Sequence, residues 1–232
     1  MKKIISVATI VCLGTSLLLS QDVVPSLGAG SKAVLFSFGG LSFLSAGTFD
    51  GGVGGRYYLN ESMSVRGGIQ FTSASQTTSA NPGVGQSGAD GSASATVMGL
   101  EAAAEWHMGK GRVLPYFGLG AAFATTSTDS KPVVVGVAPL TQSETKNSTA
   151  GLSVNGTTYS AGTTLQVFGL AGVEFFLYKE LSLSAEYQLG YMSVSRSDQE
   201  VTVGGTTTKT KVGSGSNIGI TNSGLLTLSV YF

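Results

Sequence analysis

Apolar and polar residues take turns along most of this chain. From residue 31 onward the period is two, the mark of strands that hide one face and show the other. Segment 181–191 is the clearest case. Leu181, Leu183, Ala185, Tyr187, Leu189 and Tyr191 share one face, and Ser182, Ser184, Glu186, Gln188 and Gly190 share the other. Segment 163–177 sets Leu165, Val167, Ala171, Val173, Phe175 and Leu177 against Gln166, Phe168, Gly172 and Glu174. In 63–71, Met63, Val65, Ile69 and Phe71 oppose Ser64, Arg66, Gly68 and Gln70. In 97–107, Met98, Leu100, Ala102, Ala104 and Trp106 oppose Glu101, Glu105 and His107. The final stretch, 224–232, aligns Leu226, Leu228, Val230 and Phe232. Weaker alternation over 33–44, 48–59 and 113–126 brings the expectation to eight strands.

The connections order these strands. Residues 60–62, 108–112 and 178–180 are tight turns, whereas 73–92, 127–162 and 196–222 are long, polar and rich in Ser, Thr and Gly. Among the long-side connections, that near 45–47 alone is short. Long and short alternate, so the long loops leave one end of an up-and-down meander and both termini lie at the short-turn end. Short turns on one side and long loops on the other are the asymmetry of a transmembrane barrel. A soluble lipocalin-like barrel shares the alternation but turns its apolar rows inward. Aromatics beside the short turns favour the lipid-facing arrangement: Tyr57, Tyr58, Trp106, Tyr116, Phe117, Phe175, Phe176, Tyr178, Tyr231 and Phe232 fit an interfacial girdle, with Phe71 and Tyr191 about ten residues up their strands at the other rim.

Composition agrees. The chain has 232 residues, 42% apolar and only 11% charged, against a usual charged share of about 25%. A water-facing surface needs more Lys and Glu than that. Thirteen basic and 13 acidic residues give a formal net charge of zero, which offers nothing to a polyanion, so no nucleic-acid partner is expected. One Cys and one His exclude a disulfide framework and leave no set for a zinc site; no metal, cofactor or catalytic residue is predicted.

Residues 1–30 read as a secretory signal: Met1-Lys2-Lys3, then an apolar run over 4–19 that is interrupted by Ser6, Thr9, Gly14, Thr15 and Ser16. Cleavage falls after Ser20 or in the small-residue cluster at 28–30. Cys12 lies within the run, so the mature domain, 31–232, carries no cysteine.

Phe232 preceded by Val230, Leu228 and Leu226 at every second position resembles the C-terminal assembly signal of outer-membrane barrels. Gly51-Gly52-Val53-Gly54-Gly55-Arg56-Tyr57-Tyr58-Leu59 and Gly118-Leu119-Gly120 are similar to segments of small OmpA-like and opacity-type porin-family proteins. The resemblance covers 31–232. It implies an all-β, eight-stranded antiparallel transmembrane barrel in the bacterial outer membrane, in contact with outer-membrane lipid, lipopolysaccharide and the barrel-assembly machinery.

Candidate chemistry follows from the polar rows. Arg56, Arg66, Glu101, Glu105, Glu174 and Glu186 fall on the inward face, and Arg56 and Arg66 are equidistant from Glu61, so the 60–62 turn sets them opposite each other. An eight-stranded interior is only wide enough for its own side chains, so an ion-pair network is expected there; a narrow ion path is the functional alternative. His107 invites comparison with lipid A-modifying barrel enzymes, which use His with Ser. It sits at the short-turn end, away from the outer leaflet, with no Ser or Asp partner in evident register, and reads as structural. Residues 118–123 lack the third Gly and the helix of a dinucleotide site. The long loops are therefore the expected seat of function, as β-prone ribbons for a host or other surface ligand. Segment 132–139, the 152–159 segment with its Asn155-Gly156 turn, and a hairpin at 200–208 prolonging the last two strands are the candidates. The function expected is structural or adhesive, with transport second and enzymatic third.

Overall fold

The computed structural model describes residues 25, 27–38, 48–220 and 225–232. Most of the expected signal segment, the expected strand end at 39–44 and the expected turn at 45–47 lie outside them. Sixteen strands occur among the described residues: β1 Lys32–Phe38, β2 Thr48–Tyr58, β3 Met63–Thr78, β4 Ser87–Ala89, β5 Gly91–His107, β6 Val113–Lys131, β7 Val134–Gly136, β8 Glu144–Lys146, β9 Leu152–Val154, β10 Thr157–Tyr159, β11 Gly162–Tyr178, β12 Leu181–Arg196, β13 Gln199–Val203, β14 Thr206–Thr210, β15 Ser214–Ile220 and β16 Leu225–Tyr231.

Eight of these wall a barrel. Each of β1, β2, β3, β5, β6, β11 and β12 pairs antiparallel with the next in that order, and β16 pairs with both β12 and β1. The closing seam runs from Ala33 opposite Tyr231 to Phe38 opposite Leu226. Along the Ala33–Phe38 seam the sheet closes on itself, and in lipid a sheet must close, since an open edge leaves backbone groups unsatisfied. Above the seam, β15 continues the last wall strand along β12, from Leu189 opposite Ile220 to Ser195 opposite Ser214.

The walls are longer than predicted. Strands β3, β5, β6, β11 and β12 run 16 to 19 residues, whereas about 9–11 cross the hydrocarbon. Much of the segments expected as polar loops is therefore sheet, because Ser and Thr paired across strands hold the ladder as well as apolar residues do.

Alternation separates two surfaces. Ile69, Leu100, Leu119, Leu165, Tyr187 and Leu189 stand on the outside, each more than half exposed, in a contiguous apolar band far larger than a water-soluble monomer tolerates. The inside is filled. At the short-turn end Ala33, Leu35, Tyr58, Leu114, Phe176 and Tyr231 pack together with Leu27. Further up, Ala103, Tyr116, Phe168 and Leu170 form a second apolar cluster. Glycines make room for these rings: a Cβ at Gly120 would meet Phe168 Cζ at 2.5 Å, and one at Gly172 would meet Tyr116 Cζ at 2.5 Å.

This corrects the girdle. Tyr58, Tyr116, Phe176 and Tyr231 are buried in the lumen, while Tyr57, Phe117 and Phe232, each beside one of them, are exposed outside, as is Tyr178 beyond the irregularity that follows Phe176. Adjacent residues of a strand face opposite ways, so only one of each adjacent aromatic pair can reach lipid.

The hairpins beyond the barrel rim go two ways. β9 and β10 turn through Asn155 and Gly156, with φ of 50° and 81°, the two left-handed positions of a type I′ turn. This hairpin enters the mouth: Val154 and Tyr159 pack against Ala74 of β3 and Ala95 of β5. Asn155 fastens its tip, its N–H donating to Gln76 Oε1 at 3.1 Å and its side-chain amide to the Ser75 carbonyl at 3.2 Å. β13 and β14 turn through Gly204 and Gly205 and stand outside. They do not prolong the last two strands, as expected, but join β8, which is itself paired to β6. β4 and β7 form a separate small pair.

Candidate functional site

Two places concentrate polar chemistry, the lumen and the sheet that rises from the rim. In the lumen, the 60–62 turn fixes the register of β2 and β3, and Arg56 lies opposite Arg66. The Asn60 side chain shapes that turn, accepting from the N–H groups of Ser62 and Met63 at 2.9 and 2.8 Å. The two guanidiniums then share four carboxylates. Arg56 Nε lies 2.8 Å from Glu105 Oε2, and its Nη1 donates to Glu174 at 3.1 Å. Arg66 donates to Glu101 at 2.7 Å, to Glu105 at 2.8 Å and to Glu186 at 2.6 Å. Glu105 thus bridges both cations.

Neutral donors complete the shells. Tyr231 donates to Glu174 at 2.7 Å, and Ser182 donates to the same oxygen. Tyr116 and Gln188 donate to Glu186 at 3.0 and 2.9 Å, and Ser64 donates to Glu105 at 3.0 Å. Glu105 and Glu174 are fully buried. Desolvation at such depth is costly unless every charge is paired and hydrogen-bonded, and here the donors converge on each carboxylate. A space of about 30 Å³ lies above the network, lined by Gly54, Gly68, Gln70, Arg66, Glu101 and Thr227. Its lining is more apolar than polar, with Arg66, Gln70 and Glu101 supplying polar groups, and it is of a size for one water.

His107 belongs to this cluster, contrary to the expectation that it lacked a serine in register. Its Nε2 lies 3.3 Å from Ser64 Oγ and 3.4 Å from Glu105 Oε2, and its Nδ1 lies 3.7 Å from Glu174 Oε2. The β3–β5 register, Ser64 opposite Glu105, creates the contact. The sequence hid it because a long loop separates those strands. Ser64 is fully buried, and its hydroxyl also lies 3.0 Å from Glu105 Oε2, closer than to the imidazole. Tyr58 caps the ring, 5.2 Å between centroids.

The second place is the sheet β6–β8–β13–β14. Direct cross-strand partners here are Asp129 with Lys146, Lys146 with Glu200, and Glu200 with Lys209. One row therefore alternates in sign across four strands. Lys209 Nζ lies 2.6 Å from Glu200, which holds that carboxyl below its ordinary range and the ammonium above its own. At the inner end Asp129 is pushed up, first by burial and then by a hydrogen bond with Glu144. Glu144 is lowered by the same bond and by Lys131. No sequence pattern announced this row, since its members come from two separate loops. A hollow of about 410 Å³ lies between the rim and these loops, lined by Gln76, Thr78, Ser92, Lys131, Thr145 and Ser153 among others.

Leu226, Leu228, Val230 and Phe232 occupy the outward row of the last strand, with Val230 and Phe232 exposed. The Phe232 N–H donates to the Lys32 carbonyl at 3.0 Å.

A closed ring of eight antiparallel strands, apolar outside and charged within, defines a membrane-spanning β-barrel. The chain belongs to the outer membrane protein beta-barrel domain family, whose model matches residues 11–219; it is a protein of the bacterial outer membrane. Three solved structures are similar. Neisserial surface protein A is 16% identical, with 88% of this chain and 94% of that one covered and a TM-score of 0.37. Ail, the attachment invasion locus protein of Yersinia pestis, is 14% identical, with 88% and 99% covered and a TM-score of 0.36. The N-terminal β-barrel domain of Pseudomonas aeruginosa OprF is 10% identical, with 89% and 100% covered and a TM-score of 0.34. No curated protein matches the sequence.

Proposed function

We propose that this barrel is a closed, non-enzymatic scaffold that presents an extracellular sheet for contact with another surface. The observation that carries the reading is the contrast between its two ends. The lumen is obstructed three times: by the aromatic floor, by the Arg–Glu layer and by the β9–β10 hairpin in the mouth. Outside, β14 is exposed at all five residues and ends the sheet. An ion path would need the three layers to part together, and each is held by packing or paired charge. The long wall strands lift the sheet clear of the membrane, where lipid cannot cover it.

Outer-membrane lipid, lipopolysaccharide and the assembly machinery are the partners this reading assigns to the barrel wall and the terminal row. Two measurements test it together. Planar-bilayer recordings of the refolded chain should show no steady conductance; an open channel would transfer the assignment to transport. Cells displaying the protein should adhere to a host-cell layer, and deletion of residues 199–210 should abolish the gain. Adhesion unchanged by that deletion would sink the surface-contact role.

A further inference from the structure

The geometry points to the free edge of β14 as a docking strand for a foreign, extended, acidic polypeptide segment, which adds to the sheet with a carboxylate opposite Lys209; we propose this as the mode of contact, and it rests on the surface-contact reading above.

Three observations support it. First, β14 pairs only with β13 among the described residues, so one side of its backbone is unsatisfied by strands. The two-residue turn at 204–205 makes Val203 and Thr206 a hydrogen-bonded pair, and such pairs alternate along an antiparallel ladder. Thr206, Thr208 and Thr210 therefore face β13, and Thr207 and Lys209 turn their N–H and C=O groups to the open edge. Second, natural edges are usually blunted by bulges, proline or a lysine projecting across them. Here residues 206–210 contain no proline and form a regular ladder, and Lys209 is laid back along the sheet by its 2.6 Å ion pair with Glu200. Third, the charge row has a direction. It reads Asp129, Lys146, Glu200, Lys209 from rim to edge, and the next position that keeps the alternation is an acid. Opposite charges directly across a strand pair stabilise it and like charges oppose it. Lys211, just past the end of β14, adds a second cation near that edge. A second copy of this chain fits worse, because its β14 would bring Lys209 and Lys211 to the same edge.

The test uses the full chain refolded in lipid nanodiscs and two fluorescent peptides. Each peptide alternates threonine and valine to match the length of β14, one with glutamate at its centre and the other with lysine there. Anisotropy should show the glutamate peptide binding about tenfold more tightly, as expected for exchanging an opposite-sign for a like-sign pair. Lys209→Glu should invert the preference. Thr207→Pro should abolish binding of both, since it removes an N–H that only the incoming strand uses; a retained heat-dependent gel shift shows that its barrel is intact. Equal binding of the two peptides, or full binding to Thr207→Pro, overturns the proposal. So does a dimer in nanodiscs that Thr207→Pro dissolves and the peptide does not, because the occupant is then a second copy. On cells, adhesion lost on deleting 199–210 but kept in both point variants would overturn strand addition alone and leave the surface-contact role standing.

Discussion

Replacing Arg66 with alanine probes the lumen most directly. Among the described residues its guanidinium is the only cation within ion-pair distance of Glu101 and Glu186, and it shares Glu105 with Arg56. Without it, four carboxylates answer to one arginine. Breaking a buried pair by removing one partner costs about 3–5 kcal/mol. The lower half of that range applies, because the Glu101 side chain is 11% exposed and borders the water-sized space, and Glu186 keeps the Tyr116 and Gln188 donors. The expected loss is about 3 kcal/mol. Glu186→Gln should cost less, about 1–2 kcal/mol: it weakens the charge-assisted bonds from Arg66 and turns an amide N–H toward one pair of donors, but it leaves both arginines paired and the lumen less negative. The double variant should lose less than the sum of the singles by 1 kcal/mol or more, as contacting partners do not act additively. Urea titrations in lipid vesicles can follow all four proteins through the fluorescence of Trp106, the one tryptophan of the chain, and through the heat-dependent gel shift. An Arg66→Ala protein within about 0.5 kcal/mol of native, the range of an ordinary surface change, would refute the network as a structural element. Strict additivity of the double variant would refute the pairing.

Leu183 lies on the outward row and is 40% exposed; Leu183→Arg should cost about 2–4 kcal/mol near the bilayer midplane, and the same titration would expose a harmless change. Val154→Asp should unseat the β9–β10 hairpin, because Val154 is fully buried against Ala74 and Ala95. A cysteine placed at Ala95 should then react with a membrane-impermeant maleimide many times faster than in the native background. Conductance should stay absent, because the floor of Tyr58, Phe176 and Tyr231 remains; unchanged labelling would show that the hairpin is no cork. Deleting Phe232 should lower the amount inserted in the outer membrane, measured by fractionation, and normal levels would sink the assembly-signal role of the terminal row.

Much of the barrel was legible in the chain because its rules are local. Period-two alternation sorted β12 into two rows, and the three-residue turn at 60–62 set Arg56 against Arg66 across a single hairpin. Which of the two rows is lumenal rested on the aromatics beside the short turns and the scarcity of charge, since alternation by itself also fits a soluble barrel. The girdle was over-assigned for want of the same rule: alternation already implied that Tyr57 and Tyr58, or Tyr116 and Phe117, face opposite ways.

Other features depended on contacts that no local pattern encodes. Ser64 meets His107 through the register of β3 and β5, whose connecting segment is long enough to permit several registers; the fit of side chains inside the closed barrel selects one. The 152–159 hairpin was visible as a hairpin from Asn155-Gly156, yet its inward seat came from the small residues Ala74 and Ala95, which leave space for Val154 and Tyr159 only when the walls are closed. The row Asp129, Lys146, Glu200, Lys209 needed still more. Its strands come from two loops brought together only after β6 and β12 take their places in the wall, and closing segments of that length has an entropic cost that only the assembled barrel offsets. Strand, face and turn are decided between near neighbours in the chain. Cork, lumenal partner and charge row are decided between distant ones, and for those the tertiary fold supplies the proximity.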